Sequence, residues 1–289
     1  MTRLALGTAQ FGLPYGTANQ AGQVSRKDVS AMLQLAASNG IDTLDTAIAY
    51  GESEKSLGQA GTQGFRVVTK LPALPDDCPQ VIPWVSEQVD ASFTRLGVSS
   101  VYGLLLHRPE QLLGSNGKDL YKALCSLKEC GNVQKVGVSI YNPLELEELT
   151  GRFQFDLVQA PFSIIDKRLE RTGWLQRLKD SDIEIHTRSS FLQGLLVMPE
   201  HDIPCKFQPW GALWSRWAQW LAEHHVSPVK ASLAFPLSFP EIDRVVVGAD
   251  SVEQLTQLIE AANHFFPGQL PDLFCDDENL INPARWNQI

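Results

Sequence analysis

The sequence predicts an α/β protein built as a single (β/α)8 barrel, and three observations carry this prediction. Short apolar strand signals alternate with helix signals, and eight such strand-then-helix units fit within the 289 residues. The strands are short and largely apolar, as a parallel sheet covered on both faces requires. No linker or change of composition separates two halves, although the length alone would also allow two domains. We therefore expect one domain over residues 1–289, with a C-terminal extension after about residue 263.

The predicted strands follow one another at the spacing of a barrel. They cover residues 3–6, 42–45, 66–69, 101–106, 135–138, 156–159, 183–187 and 244–247. Such barrels place their chemistry at the carboxyl ends of the strands. The residues at these ends are Gly7 and Thr8, Asp45, Lys70, His107, Ser139, Gln159, Arg188 and Ser189, and Gly248. Most of them are polar or ionisable, so the sequence predicts a reactive site at this mouth of the barrel.

Caps, glycines and apolar spacing mark the predicted helices. Ser25 with Asp28 predicts one helix start, and Ser251 with Gln254 predicts a capping box for the last helix. A single helix is expected to carry Leu169, Leu175 and Leu178. In the first turn of the second helix we expect two acidic side chains beside the positive end of the helix dipole, Glu52 and Glu54. Four tryptophans at helical spacing predict a packing face: Trp210, Trp214, Trp217 and Trp220.

Composition and charge exclude several classes of protein. A hydrophobic content of 44% and a charged content of 20% are typical of a soluble globular protein, and the net charge of -9 argues against nucleic acid or an anionic membrane as a partner. No apolar run reaches the roughly 18 residues of a membrane span, and the N-terminus lacks the apolar core of a signal peptide. Five scattered cysteines without a Cys-x-x-Cys pair predict a reducing, cytoplasmic location and no metal site.

Four of the residues at or just past the strand ends can form a proton-donating site. Tyr50 is a phenol, which is a poor acid near neutral pH unless a nearby cation lowers its pKa. Lys70 can be that cation, and Asp45 can pair with Lys70 and hold it in place. His107 can orient a substrate oxygen or relay a proton. Each residue also has an ordinary structural interpretation, as a partly buried tyrosine, a cap, a surface lysine or a loop histidine, but their joint occurrence in this order favours catalysis.

These residues stand in a pattern that resembles the aldo-keto reductase superfamily, in particular bacterial members associated with sugar or surface-polysaccharide biosynthesis. The resemblance runs from about residue 3 to about residue 262. Its pieces are the segment 45–51, then Ser53 and Glu54, Leu57 and Gly58, Lys70 after its strand, His107 after its strand, the segment 136–139, Gln159 and the turn at 192–196.

The resemblance implies a barrel that binds NADP(H), with NAD(H) as the alternative, and transfers hydride to an aldehyde or ketone. It implies Tyr50 as the general acid, with Asp45, Lys70 and His107 around it, and Ser139 and Gln159 as ligands of the nicotinamide carboxamide. The full set of expected cofactor residues is Gly7, Thr8, Asp45, Ser139, Gln159, Arg188, Ser189, Gly248, Ala249, Asp250 and Gln254.

The sequence departs from the family pattern in four places. Ile140 follows Ser139 where the family usually has Asn, and Arg188 stands where an aromatic side chain commonly stacks on the nicotinamide. A guanidinium is planar and can also stack. The segment before the first strand is too short for the hairpin that often closes the bottom of the barrel. No basic residue occupies positions 248–260, where relatives that prefer NADPH grip its 2′-phosphate.

Three functions remain open from the sequence. The leading hypothesis is a reductase of small carbonyl compounds, or the reverse alcohol dehydrogenase, and a polar, sugar-like substrate is the expectation. The second is a barrel that binds the cofactor but turns over little and acts as a sensor. The third is another barrel enzyme, such as a two-carboxylate glycosidase, which needs two acidic residues at strand ends where only Asp45 is found. The oligomeric state is left open.

Overall fold

A closed barrel of eight parallel strands forms the centre of the molecule in the computed structural model, which describes residues 2–19, 21–263 and 268–288. Neighbouring strands pair in sequence order, and β1 pairs with β8 to close the barrel. The strands are β1 Leu4–Gly7, β2 Thr43–Asp45, β3 Arg66–Leu71, β4 Val101–Leu106, β5 Val133–Ser139, β6 Leu157–Pro161, β7 Glu184–Arg188 and β8 Arg244–Gly248. The predicted (β/α)8 barrel is confirmed.

Helices pack around the outside of this barrel. They are α1 Arg26–Ser38, α2 Ser53–Ala60, α3 Val81–Leu96, α4 Gly117–Glu129, α5 Glu145–Thr150, α6 Arg168–Arg171, α7 Trp174–Asp180, α8 Gly211–His224, α9 Pro228–Leu237, α10 Val252–Asn263 and α11 Glu278–Ile281. In the part of the chain that the structure describes, no helix has both the length and the apolar character needed to cross a membrane.

The prediction of a single helix between β6 and β7 is wrong. The apolar spacing of Leu169, Leu175 and Leu178 suggested one continuous helix, but two short helices, α6 and α7, share these residues. Gly173 separates them in the left-handed region, with φ 76°, a conformation that glycine adopts without steric cost. The three leucines are nevertheless buried, because both helices present them to the barrel.

Both predicted helix caps are present. At the start of α10, however, the Gln254 side chain bonds a different backbone N–H from the one expected in a capping box. The Ser25 side chain accepts from the Asp28 backbone N–H at 3.2 Å and begins α1, as predicted. At α10 the Ser251 hydroxyl accepts from the Gln254 N–H at 3.2 Å. The Gln254 side chain then reaches one residue beyond the usual capping box and accepts from the Asp250 N–H at 2.8 Å. This contact fixes the loop that follows β8.

Inside the barrel, a polar network lies at the amino-terminal ends of the strands. A small apolar cluster of Val68, Leu105 and Leu157 packs against Tyr102. The Tyr102 hydroxyl donates to Glu184 at 2.6 Å, Lys135 donates to the same carboxylate, and His186 hydrogen-bonds it at 2.7 Å. Burial opposes ionisation of Glu184, but these hydrogen bonds outweigh it and lower the pKa of this carboxyl below its ordinary value.

Glu54 is more than a first-turn carboxylate. It lies in the first turn of α2 as expected, but its side chain is only 1% exposed. The carboxylate accepts from Thr69 at 2.7 Å, from Ser92 at 2.6 Å and from Arg95 at 2.8 Å. It therefore joins α2 to β3 and α3 through charge-assisted hydrogen bonds. Glu52, by contrast, is exposed and pairs with Lys55 at 2.7 Å.

The tryptophans of α8 and its preceding turn serve packing. Trp214 and Trp217 are buried, and their indole N–H groups donate to the Phe207 and Leu196 carbonyls, each at 2.9 Å. The Trp217 and Trp220 rings stack with their centroids 5.8 Å apart. The predicted packing face is therefore present between this helix and the segment after β7.

The chain after α10 folds back onto the carboxyl end of the barrel. The expected boundary of the extension, about residue 263, adjoins residues 264–267, which lie outside the described residues. Four apolar side chains of the following segment are buried: Leu273, Leu280, Ile281 and Trp286. Glu278 in α11 accepts from Asn142 at 2.8 Å and from Arg168 at 3.4 Å. Because these two partners follow β5 and β6, the extension contacts loops at the carboxyl end of the barrel.

Candidate active site

A cleft of about 400 Å³ opens at the carboxyl ends of the strands. Its walls come from the ends of β1, β2, β7 and β8, from the loop after β1 and from the start of α10. Nine of the residues predicted for the site line this cleft: Gly7, Thr8, Asp45, Tyr50, Arg188, Ser189, Gly248, Asp250 and Gln254. The structure thus gathers residues as far apart in the chain as Gly7 and Gln254.

The loop that carries Tyr50 is held by a close approach of two backbones. A Cβ on Gly12 would lie 1.9 Å from the Tyr50 carbonyl oxygen, so only glycine fits at this position. Gly51 has φ 54°, and a Cβ there would lie 2.5 Å from the Gly12 carbonyl oxygen. The two glycines therefore let the loop after β1 contact the loop after β2, and this contact fixes where Tyr50 lies relative to the cleft.

Hydroxyl groups join the ends of β1 and β2 below the cleft. The Thr8 hydroxyl donates to the Asp45 carbonyl at 2.9 Å, and the Ser53 hydroxyl donates to the Thr8 carbonyl at 2.8 Å. Thr46 and Ser53 share a further hydrogen bond at 3.0 Å. All of these side chains are buried, so they hold the start of α2 against the two strand ends.

Asp45 and Lys70 form a buried ion pair on the neighbouring strands β2 and β3. The Lys70 Nζ donates to both Asp45 oxygens, at 2.7 and 2.8 Å, and to the Thr46 carbonyl at 2.9 Å. Lys70 is 1% exposed and Asp45 is 4% exposed. Burial lowers the pKa of Lys70, and the Asp45 carboxylate partly offsets this effect. The pairing expected from the sequence is present.

Ser139 and Gln159 lie behind this ion pair rather than along the cleft. The Gln159 amide donates to Asp45 at 2.7 Å, and the Ser139 hydroxyl donates to the Gln159 side-chain oxygen at 3.2 Å. Both side chains are buried at the ends of β5 and β6. The two residues expected to hold a nicotinamide carboxamide thus belong to the same hydrogen-bonded chain as the catalytic candidates.

Tyr50 and His107 pack together beside Lys70. The ring centroids lie 5.8 Å apart at an interplanar angle of 78°, and the Lys70 Nζ lies 5.1 Å from the Tyr50 ring centroid. Burial, followed by the Asp45 charge, raises the pKa of Tyr50 above its ordinary value of 10, while Arg188 acts in the opposite direction. The pKa of the phenol is therefore raised, contrary to the sequence-based expectation, and burial is the largest cause. Burial, with the charges of Lys70 and Arg188, lowers the pKa of His107 to about 4.

Arg188 is held at the end of β7 by its neighbours. Its guanidinium lies 4.5 Å from the Tyr141 ring centroid, and its Nη2 donates to the Ile140 carbonyl at 2.9 Å. Its Nη1 donates to the Ser189 hydroxyl at 3.2 Å. The sequence departure at residues 140 and 141 and the departure at residue 188 thus meet in space. The guanidinium lies over the Tyr141 ring, and Arg188 lines the cleft.

The end of the cleft beside β8 has features that fit a dinucleotide. Two predicted glycines line it, and a Cβ on Gly7 would lie 3.1 Å from Val246. The Ser190 hydroxyl is buried among the lining residues and has no hydrogen-bond partner within the described ranges. The first turn of α10 adds backbone N–H groups, which suit a phosphate. Ala249 is buried and does not line the cleft.

Two charged residues near β8 are placed differently from each other. Asp250 lines the cleft and accepts from Asn19 at 3.1 Å, and burial raises the pKa of its carboxyl. Arg244 begins β8 and pairs with Asp42 at 3.0 Å. Because Asp42 precedes β2, this pair lies at the amino end of the barrel, and Arg244 cannot reach a ligand in the cleft.

Several lining residues were missed by the sequence analysis. Tyr15 and Asn19 lie in the loop after β1, and Gln193 lies in the turn after β7. The Gln193 amide donates to the Tyr15 hydroxyl at 3.2 Å, and the Gln193 carbonyl accepts from the Thr17 N–H at 3.0 Å. The only signal was the mixture of aromatic and polar residues in both loops. This mixture does not tell which side chains turn inward.

The parallel barrel and the polar cleft at the carboxyl ends of its strands define a barrel enzyme. A family model described as Aldo/keto reductase family matches residues 3–269, and the chain belongs to this family. The protein is therefore an oxidoreductase of a family that uses nicotinamide cofactors, generally NADP(H), and acts on small carbonyl compounds.

Individual relatives agree with this assignment. The chain is 28% identical over 245 residues to an uncharacterised oxidoreductase of Bacillus subtilis named YqkF, covering 78% of each chain. It is 30% identical over 175 residues to a 6-dehydroglucose reductase of Agrobacterium fabrum, covering 54% of this chain and 58% of that protein. The holo structure of the aldo-keto reductase AKR11C1 from Bacillus halodurans superposes with a TM-score of 0.73 at 18% identity, covering 95% of this chain and 94% of that one. This last likeness concerns the fold alone.

Proposed function

We propose that this protein reduces a small aldehyde or ketone with NADP(H), and that Tyr50 is the general acid. The observation that carries this proposal is the grouping of Tyr50 and His107 against the Asp45–Lys70 ion pair at the mouth of the barrel. Tyr50 and Asp45 line the cleft, and His107 and Lys70 pack against Tyr50 behind it, so a phenol, an imidazole and a buried ion pair are available for the proton transfer of a carbonyl reduction.

The cofactor would lie along the lining residues already described. Gly248, Asp250 and Gln254 border the adenosine end, and Ser189 and Ser190 offer hydroxyl groups beside β7. Ser139 and Gln159 would hold the carboxamide, which requires their present hydrogen bonds to rearrange in part. When bound, NADP(H) supplies the hydride that reduces the carbonyl carbon.

Tyr50 supplies the proton. Because its pKa is raised, the phenol is protonated throughout the neutral range and holds the proton that the carbonyl oxygen needs. The carbonyl carbon gains a hydride, its oxygen gains the Tyr50 proton, and the phenolate recovers a proton from water. His107 is neutral above about pH 4 and can hydrogen-bond the substrate oxygen. The Lys70 ammonium of the ion pair lies 5.1 Å from the Tyr50 ring centroid, and the Arg188 charge favours the phenolate that forms.

A polar, sugar-like carbonyl compound is the proposed substrate. The cleft is lined in part by polar side chains, among them Asn19 and Gln193, which suit hydroxyl groups. The partial similarity to a 6-dehydroglucose reductase supports the same class.

The test is the loss of NADPH absorbance with a panel of aldehydes and ketones, measured for the wild type, Tyr50→Phe and Tyr15→Phe. Tyr15→Phe is the matched control, because Tyr15 is a second phenol in the same cleft. We expect Tyr50→Phe to lower turnover by roughly 10²–10⁴-fold, the usual contribution of general acid–base catalysis. The loss in Tyr50→Phe should exceed that in Tyr15→Phe at least tenfold. Wild-type turnover in Tyr50→Phe would disprove the assignment, and no turnover of any carbonyl would favour a cofactor-binding barrel without catalysis.

A further inference from the structure

Arg188 is a cation in the cleft whose charge has no partner nearby. Within the described part of the chain, no carboxylate lies within ion-pair distance of its guanidinium. Elsewhere in that part, sixteen pairs of a Lys, Arg or His side chain with a carboxylate are found. The other cation of the site, Lys70, is neutralised by Asp45. His107 is uncharged at neutral pH because its pKa is about 4. Among Lys70, His107 and Arg188, Arg188 is therefore the charged group that has no carboxylate partner in the described part of the chain.

The guanidinium is fixed in place yet keeps donors to spare. Tyr141 covers one of its faces, and its two observed hydrogen bonds go to the neutral Ile140 carbonyl and the Ser189 hydroxyl. A guanidinium carries five N–H donors, so several remain for a ligand. A cation that is already fixed loses little conformational entropy on binding an anion, which favours affinity.

The nearest candidate for a counter-charge, Glu145, is engaged elsewhere. Its carboxylate accepts from the backbone N–H groups of Tyr141 at 3.0 Å and of Asn142 at 2.6 Å. Burial raises the pKa of this carboxyl, whereas its two backbone hydrogen bonds and, after them, the Arg188 charge lower it. Glu145 thus shapes the loop that carries Tyr141 and does not neutralise Arg188.

The position of Arg188 indicates which molecule would bring the anion. Its charge acts on Tyr50, on His107 and on Lys70, which surround the reacting carbonyl. The phosphates of a dinucleotide would lie toward Gly248 and the start of α10, at the other end of the cleft. An anionic group at Arg188 therefore belongs to the molecule that is reduced.

We propose that Arg188 binds a carboxylate or phosphate carried by the carbonyl substrate, so that the enzyme selects anionic aldehydes or ketones over neutral ones of the same skeleton. This inference rests on the proposed function and narrows its substrate class. The planar guanidinium can form two parallel hydrogen bonds to either group, which gives direction as well as charge. A sugar acid or a sugar phosphate with a free carbonyl group meets both requirements.

The experiment compares matched substrates with the NADPH-loaded enzyme. One pair is 4-oxobutanoate and its methyl ester, and the other is glyceraldehyde 3-phosphate and glyceraldehyde. We expect kcat/KM to favour the anionic member by roughly ten- to a hundredfold, the usual worth of a hydrogen-bonded charge. Arg188→Gln should bring this ratio close to one. Arg188→Lys keeps the positive charge but loses the two parallel N–H donors of the guanidinium, so it should retain part of the preference. Arg108→Gln is the matched control, because Arg108 is an exposed arginine next to His107 that pairs with Glu110 at 3.6 Å.

A binding experiment without turnover tests this inference separately from the proposed function. Calorimetric titration of the NADPH-loaded wild type with D-gluconate and with D-glucitol compares an acid and a neutral polyol without turnover. We expect tighter binding of D-gluconate in the wild type and loss of the difference in Arg188→Gln. If no carbonyl is reduced but this difference is found, the proposed function fails and the anion site at Arg188 stands.

Three results would overturn the inference. One is an equal kcat/KM for charged and neutral members of both pairs in the wild type. Another is a selectivity that Arg188→Gln leaves unchanged or that Arg108→Gln removes equally. The third is a rise in the NADPH dissociation constant of Arg188→Gln with no change in the ratio, because Arg188 would then serve the cofactor. Circular dichroism of each variant verifies that the fold is retained.

Discussion

Replacing Lys70 by methionine tests the buried ion pair most directly. Methionine has a similar length but no donor, so the Asp45 carboxylate loses the donor that bonds both its oxygens, at 2.7 and 2.8 Å. The Thr46 carbonyl loses its 2.9 Å partner as well. Asp45 is 4% exposed and keeps only the bond from Gln159. Breaking a buried pair by removing one member costs about 3–5 kcal/mol, and we expect this loss in the free energy of unfolding.

A surface pair provides the control for this measurement. Lys128 donates to Asp156 at 2.6 Å, a distance close to that of the buried pair, but the two side chains are 43% and 30% exposed. Exposed pairs contribute about 0–1 kcal/mol, so Lys128→Met should change the free energy of unfolding little. The double change Asp45→Asn with Lys70→Met removes the uncompensated charge and should recover part of the loss. Urea unfolding followed by tryptophan fluorescence measures all four proteins.

Activity gives a second measure of the same change. With Lys70 removed, the Asp45 charge acts on Tyr50 without compensation and raises the pKa of the phenol further. We expect Lys70→Met to lower turnover in reduction and to shift the alkaline limb of alcohol oxidation to higher pH. Two results would refute the reasoning: a loss of stability no larger than that of Lys128→Met, or an unchanged pH–rate profile at full activity.

Three further predictions concern pH, a second buried charge and the cofactor. The pKa of His107 is lowered from 6.5 to about 4. The unfolded chain therefore binds an additional proton between these values. The contribution of His107 to the free energy of unfolding should be fully present above about pH 6.5 and fall by up to about 3 kcal/mol toward pH 4. Urea titrations should show a smaller pH dependence in His107→Gln. Glu54→Gln should lower the free energy of unfolding by roughly 1.5–3 kcal/mol because it weakens charge-assisted hydrogen bonds, whereas Glu52→Gln at the exposed pair should have a much smaller effect. Dissociation constants for NADPH and NADH at fixed ionic strength should differ by less than about thirtyfold, or ~2 kcal/mol. A thousandfold preference for NADPH would mean that a basic side chain reaches the 2′-phosphate. That side chain would be Lys230, because Arg244 is already paired with Asp42.

The barrel and the pairing of Asp45 with Lys70 followed from local patterns in the sequence. Short apolar strands require burial on both faces, and adjacent parallel strands bring their carboxyl ends together. A lysine and an aspartate that are both buried at two such ends are expected to pair, because an unpaired buried charge is costly. Predictions of this kind depend on topology alone, which is why they could be made without coordinates.

Electrostatic properties could not be predicted in the same way. The pKa of Tyr50 depends on how deeply the phenol is buried and on which charges remain uncompensated. The sequence indicated Lys70 as a cation near the phenol, but it did not reveal that the Asp45 charge acts against it. The stacking of Arg188 on Tyr141 joins two positions that are far apart in the chain, and no local pattern links them. Gly173 breaks a helix that apolar spacing alone made continuous.

The C-terminal extension has a consequence for how selectivity can change in related proteins. Arg168 donates to the Tyr141 carbonyl at 3.0 Å and also contacts Glu278 of α11, so the last helix braces the ring on which Arg188 rests. The residues proposed for the proton transfer, Tyr50 and His107, lie instead in the loops after β2 and β4. Substrate preference can therefore drift through mutations in the tail, or through exchange of whole tails between relatives, while the reaction itself is conserved. In this barrel the C-terminal tail would influence the choice of substrate through the loop that carries Tyr141.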